Sequence, residues 1–178
     1  MEKLVLIDGH SILNRAFYGV PNLTNSEGLH TNAVYGFLNI LFKVLDDEKA
    51  DYLAVAFDLK APTFRHKMFD AYKGTRKPMP EELHEQVPLM KEVLTAMGVP
   101  ILTKEGYEAD DILGTIAKRE QKDGYEVTIL SGDRDLLQLS DTHIRICLPK
   151  TSRGTTEVHN YYPEDVIREY QVTPEQFI

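Results

Sequence analysis

Lys3-Leu4-Val5-Leu6-Ile7-Asp8 opens the chain with four consecutive apolar side chains followed by a carboxylate. A run this short, closed by an Asp-Gly pair, predicts a buried strand rather than a helix. Tyr52 to Phe57 repeats the pattern and again ends on an acid, Asp58. Between them, Thr31 to Leu45 carries Val34, Phe37, Leu38, Leu41, Phe42 and Leu45 at helical spacing. Further along, Pro80 to Met97 predicts a helix with Gly98 beyond its end and Pro88 kinking or splitting it. Val99 to Leu102 predicts a short strand. Glu108 to Gln121 predicts a helix with Ile112, Leu113, Ile116 and Ala117 on its inner face. Val127 to Leu130 and His143 to Leu148 predict two more strands, and Pro163 to Tyr170 a last helix. Strands separated by helices mean an α/β fold, with a mainly parallel central sheet flanked by helices. Residues 60 to 80 mix basic, aromatic and turn residues, and are expected to form a loop or arch over that sheet.

The 178 residues suffice for one domain with a sizeable core. The apolar runs are strand-sized, far from the roughly 20 residues that span a membrane. No signal peptide is visible before the first strand pattern, and Cys147 is the lone cysteine, so no internal disulfide is available and a reducing cytoplasm is expected. The net charge of −8 argues against a nucleic-acid partner when taken as an average. The distribution is uneven, however. Lys60, Arg65, Lys67, Lys73, Arg76 and Lys77 stand against Asp70 alone, so residues 60–77 carry +5 and the remainder −13.

Acids gather where strands end. Asp8 and Asp58 follow strands directly; Glu108, Asp110 and Asp111 open a helix behind a strand; Asp133 and Asp135 lie in the turn after Leu130. Ligands of open α/β sheets bind outside the carboxyl ends of the strands. Carboxylates about 4 Å apart repel by about 4 kcal/mol at an effective dielectric of about 20, so such crowding requires cations or protons. All-oxygen ligands select hard ions, Mg²⁺ or Mn²⁺, and two such ions can clamp a phosphoryl displacement. Each segment alone has an ordinary structural explanation: helix-dipole complement, turn residue or local ion pair. Nucleotide-binding loops, histidine pairs at zinc spacing and a second acid two residues after Asp8 (the position is His10) are all missing from the sequence.

Tyr72-Lys73-Gly74-Thr75-Arg76-Lys77 interleaves an aromatic ring with three cations, a composition suited to phosphates and an unpaired base. Arg15, seven residues after Asp8, is placed to meet a substrate phosphate. A solvated loop is the alternative reading of the basic run.

Together these stretches resemble the 5′-nuclease family: the N-terminal exonuclease domain of bacterial DNA polymerase I, phage 5′-exonucleases and flap endonucleases. The similarity lies in Leu6-Ile7-Asp8-Gly9-His10-Ser11, Ala33-Val34-Tyr35-Gly36-Phe37, Val55-Ala56-Phe57-Asp58, Thr63-Phe64-Arg65, Tyr72-Lys73-Gly74-Thr75-Arg76, Gly106-Tyr107-Glu108-Ala109-Asp110-Asp111 and Ser131-Gly132-Asp133-Arg134-Asp135-Leu136, in family order over nearly the whole chain. The resemblance implies a PIN-like fold and metal-dependent cleavage of 5′ flaps, 5′ ends and RNA–DNA junctions; a monomer with no membrane partner is expected. It implies Asp8, Asp58 and Asp110 around one Mg²⁺, with Mn²⁺ as substitute, and Asp110, Asp133 and Asp135 around a second. Glu108 and Asp111 would support them, partly through water. Lys73 and Arg76 would act catalytically over the scissile phosphate, with Tyr72, Lys77 and Arg15 along the DNA. On this reading residues 1–178 are the front part of an exonuclease domain. The family's later Gly-Asp-x-x-Asp-Asn segment, helix-hairpin-helix and polymerase domains lie outside them. Slow cleavage, weak salt-sensitive DNA binding and at most one well-held metal are therefore expected. A related small ribonuclease, or a non-catalytic DNA-binding fragment, are the alternatives.

Overall fold

A computed structural model describes residues 1–152 and 155–177. Within them, six strands form one sheet in the order β3-β2-β1-β4-β5-β6. They are β1 (Lys3–Asp8), β2 (Tyr52–Ala56), β3 (Ile101–Leu102), β4 (Glu126–Leu130), β5 (Ile144–Ser152) and β6 (Thr155–Tyr161). β1 to β5 pair in parallel and β6 returns antiparallel against β5. The helices are α1 (Gly9–Gly19), α2 (Asn32–Glu48), α3 (Phe64–Met68), α4 (Glu81–His84), α5 (Gln86–Ala96), α6 (Ala109–Lys122) and α7 (Pro163–Tyr170).

The expected α/β sheet is therefore present. Alternation along β1 sends Val5 and Ile7 into a core with Ile12, Leu13, Phe37, Leu41, Met90 and Leu94 of α1, α2 and α5. It sends Leu6 to the other face, against Leu113 and Ala117 of α6. Central strands buried on both faces read as continuous apolar runs. Each fully buried aliphatic or aromatic side chain contributes roughly 1.5–3 kcal/mol.

Three local features bear on the sequence expectations. First, the helix expected over Pro80 to Met97 is split, as Pro88 predicts, into two helices broken at Glu85. Pro88 lies inside α5, and its missing N–H removes the bond to the carbonyl of His84, four residues back, where the break falls. The break also orients Gln86, which is wholly buried. Its Oε1 accepts the N–H groups of Ala33 (2.8 Å) and Val34 (3.2 Å). It thereby caps α2, whose own N-cap residue Thr31 makes no side-chain capping bond. Second, β6 is an edge strand carrying Glu157, His159 and Asn160, so hydrophobic patterning misses it. Third, the 60–80 stretch is not formless: α3 and the tight turns around Tyr72 to Gly74 fold it back toward α6.

Gly9, the first residue of α1, faces the ring of Phe57. A Cβ there would meet ring carbons at 2.6 Å. The absent side chain lets the start of α1 close onto the end of β2, bringing Asp8 and Asp58 to neighbouring positions.

Candidate active site at the carboxyl edge of the sheet

The parallel strands deliver their last residues to one edge, and a cleft of about 510 Å³ opens there. Asp8, His10, Ser11, Asp58, Glu108, Asp110 and Asp133 line it together with Lys73, Arg76, Lys77, Pro78 and Met79. Five of the seven expected carboxylates thus share one cleft with three of the arch cations.

Asp8 is the N-cap of α1. It accepts the N–H of Ser11 at 3.3 Å and the hydroxyl of Ser131, at the end of β4, at 3.0 Å. It is only 8% exposed. Burial, with repulsion from Asp58 and Asp110, raises its pKa to about 7 despite those two bonds. Asp58 caps a helix it does not belong to: its Oδ1 accepts the N–H of Ala109, the first residue of α6, at 2.7 Å. The Asp58 N–H in turn donates to His10 Nδ1 at 3.2 Å. Burial lowers the pKa of His10, favouring the neutral ring that this bond needs.

Glu108 and Asp111 close a capping box at the start of α6. Glu108 is buried and accepts Arg65 Nη1 at 2.8 Å, the Tyr72 hydroxyl at 3.0 Å and the Lys73 ammonium. Its burial alone would raise its pKa; Lys73, Tyr72 and Arg65 outweigh that and lower it. The hydrogen bond from Arg65 likewise lowers Asp111. Asp110 has no such partner. Burial, and then Asp111 and Glu108, raise its pKa. The carboxylates therefore divide into two sets. Glu108 and Asp111 are neutralised by arch cations, whereas Asp8 and Asp110, with Asp58 beside them, carry uncompensated charge into the cleft.

Asp133 reaches the cleft, its N–H held by Ser131 Oγ at 3.0 Å. Asp135 does not line it. It is exposed within the 3-10 turn Arg134–Leu139, which turns to bury Leu136 and Leu137 and carries Asp135 outward. Arg15 donates to the carbonyl of Gly132 at 3.3 Å. With Asn14, Tyr18 and Arg76 it lines a groove that continues from the cleft. Arg65, Ser11 and Ser131 received no role from the sequence. All three stand in the stretches that carry the family resemblance, but the partners of Arg65 and the Ser11 hydroxyl lie far along the chain and are not legible there.

The donor set fits a hard divalent cation. Asp8, Asp58, Asp110 and Asp133 bring only carboxylate oxygens to one cleft, and one oxygen each of Glu108, Asp110 and Asp111 lies within 4.8 Å of the others.

Comparisons agree with this geometry. A family model described as "5′-3′ exonuclease, N-terminal resolvase-like domain" matches residues 3–171. The chain is 50% identical over 177 residues to DNA polymerase I of Bacillus subtilis and 49% identical to that of Bacillus caldotenax. Each match covers 99% of this chain and 20% of the relative, so the chain spans about a fifth of the length of these curated relatives. The fold is similar to that of a bacteriophage T5 flap endonuclease in a complex with DNA and metal ions. The TM-score is 0.70 at 21% identity, over 99% of this chain and 64% of that one. With acids at the strand ends, basic residues lining the same cleft and a family match over nearly its full length, the chain belongs to the 5′-3′ exonuclease N-terminal resolvase-like domain family.

Proposed function

We propose that this chain carries the site of a divalent-metal-dependent 5′-nuclease that hydrolyses DNA phosphodiesters at 5′ flaps, 5′ ends and RNA–DNA junctions. The observation that carries the reading is one cleft lined both by Asp8, Asp58, Asp110 and Asp133 and by Lys73, Arg76 and Lys77. The carboxylates exclude a phosphodiester unless cations intervene, and the basic side chains draw one in. Asp8, Asp58 and Asp110 would hold a Mg²⁺ ion, with Mn²⁺ able to substitute, and Asp110 and Asp133 would contribute to a second. Asp135 would have to turn inward to join them. A bound divalent ion supplies Lewis-acid stabilisation for the charge that builds on the phosphoryl oxygens.

The chain's own groups do the remaining work. Arg76, exposed at the cleft mouth, and Lys73 offer cations to the scissile phosphate. Lys73 leaves Glu108 to do so. Arg15 and Lys77 hold flanking phosphates and Tyr72 guides the strand, each adding salt-sensitive affinity. The DNA and metal ions of the T5 complex and the polymerase relatives support the assignment of substrate and ion. Replication and repair are the setting that those relatives suggest. The chain is taken to act as a monomer, and its lone, buried Cys147 suits a reducing cytoplasm. No described helix is long and apolar enough to cross a membrane.

The test is cleavage of 5′-labelled flap DNA, single-stranded DNA and RNA with Mg²⁺, Mn²⁺ or chelator. Flap DNA should be cut only with metal, and Asp110→Asn should abolish cutting. Metal-independent cleavage, or cleavage of RNA alone, would rule the reading out.

A further inference from the structure

We propose that Arg65 is a positioning residue that withdraws Asp111 from the cation-facing carboxylates and ties Glu108 to the foot of the arch. It thereby keeps a divalent ion from settling among Glu108, Asp110 and Asp111, away from Asp8 and Asp58. This rests on the metal-dependent reading of the cleft but goes beyond it.

Arg65 lies in the single turn of α3. Its guanidinium donates to both oxygens of Asp111, Nη1 to Oδ2 at 2.7 Å and Nη2 to Oδ1 at 2.8 Å, while Nη1 also reaches Glu108 Oε2 at 2.8 Å. Asp111 Oδ2 accepts the N–H of Glu108 as well, at 3.0 Å. Both of its oxygens are thus occupied by a planar fork that a lysine could not reproduce. The fork is itself held. Its Cζ stands 4.4 Å from the centre of the Phe64 ring, and the Phe64 N–H donates to the carbonyl of Gly106 at 2.9 Å.

Asp110 and Asp111 are consecutive on a helix, so their side chains diverge by about 100°. Asp110 lines the cleft with Asp8 and Asp58, whereas Asp111 borders the neighbouring apolar groove of Ile101, Leu102 and Ile112. Yet their oxygens and those of Glu108 lie within 4.8 Å of one another, close enough to chelate one ion. Without a fixed cation on Asp111, that trio would compete with the Asp8 side for metal. Arg65 occupies the competing seat.

Four proteins test this: the unsubstituted chain, Arg65→Gln, Asp111→Asn and the double variant. Mn²⁺ alone is titrated by calorimetry, and kcat and KM are measured on flap DNA. Arg65→Gln should bind Mn²⁺ at least about threefold more tightly, because an uncompensated carboxylate now faces the ion. Its kcat should fall about tenfold or more with KM changed less than about threefold. The double variant should return Mn²⁺ affinity to that of the unsubstituted chain and recover part of the lost kcat. Unchanged or weaker Mn²⁺ binding by Arg65→Gln would overturn the proposal. So would a double variant whose losses multiply, since Arg65 would then act on the substrate. Should Arg65→Gln fail to melt cooperatively, Asp111→Asn decides alone: Mn²⁺ affinity within about threefold of the parent supports the proposal, and a loss of about tenfold or more makes Asp111 a direct ligand and overturns it. If the unsubstituted chain cuts no DNA, the nuclease reading fails, while the Mn²⁺ titrations still decide the role of Arg65.

Discussion

Replacing Asp8 by Asn should stabilise the metal-free protein while destroying its capacity to bind metal. Asp8 is buried, and its pKa rises from 3.8 to about 7 through burial, with further repulsion from Asp58 and Asp110. A shift of that size corresponds to about 4 kcal/mol of strain on the folded state when the carboxylate is charged. Asn removes the charge but cannot reproduce both hydrogen bonds. Its carbonyl can still accept the Ser11 N–H, while its NH₂ needs the Ser131 hydroxyl to rotate and accept. Taking roughly half the strain as recovered leaves a net gain of about 2 kcal/mol, or roughly 4–8 °C in Tm for a chain of this size. The pH dependence fixes the sign. The folded-state pKa is raised, so the penalty is fully present above about pH 7, shrinks as pH falls, and is gone below the ordinary value of 3.8. Thermal melts with a chelator at pH 8, 6 and 4 should show the variant above the parent at pH 8 and the gap closing toward pH 4. A variant that melts at or below the parent at pH 8 would refute the reasoning, as would a gap that widens on acidification.

Arg76→Ala should lower kcat more than it weakens DNA binding, because Arg76 meets charge that develops on the phosphate; single-turnover rates set against equilibrium binding decide this, and a loss confined to binding makes Arg76 a tether. Each of Arg15→Ala and Lys77→Ala should reduce the slope of log affinity against log salt by about 0.7–0.9, measured by fluorescence anisotropy, and an unchanged slope removes that residue from the DNA path. Gln86→Ala should cost about 2–4 kcal/mol in denaturant melts, because it uncaps α2 and leaves buried donors unpaired; a cost under about 0.5 kcal/mol would show that water or a neighbour replaces the cap.

The parts of this fold that were legible from sequence are local. Four apolar residues ending in Asp8, the same device at Asp58, and three acids opening α6 are short-range patterns, and the parallel sheet brings their ends to one edge without further information. The division of labour among the acids was not legible. It depends on Arg65, which is 43 residues from Glu108 and 46 from Asp111 in the chain, and no spacing rule reaches that far. Asp135, expected beside Asp133, is exposed in the 3-10 turn and does not line the cleft. The net charge of −8 was no obstacle, because the +5 of residues 60–77 is legible beside the −13 of the remainder.

Anomalous diffraction from crystals soaked in Mn²⁺ tests the central claim most directly. The account predicts a peak in the cleft bound by Asp8, Asp58 and Asp110, with Asp111 still forked to Arg65. No peak in the cleft at saturating Mn²⁺, or an ion held by Glu108 and Asp111 with Asp8 left out, would contradict it.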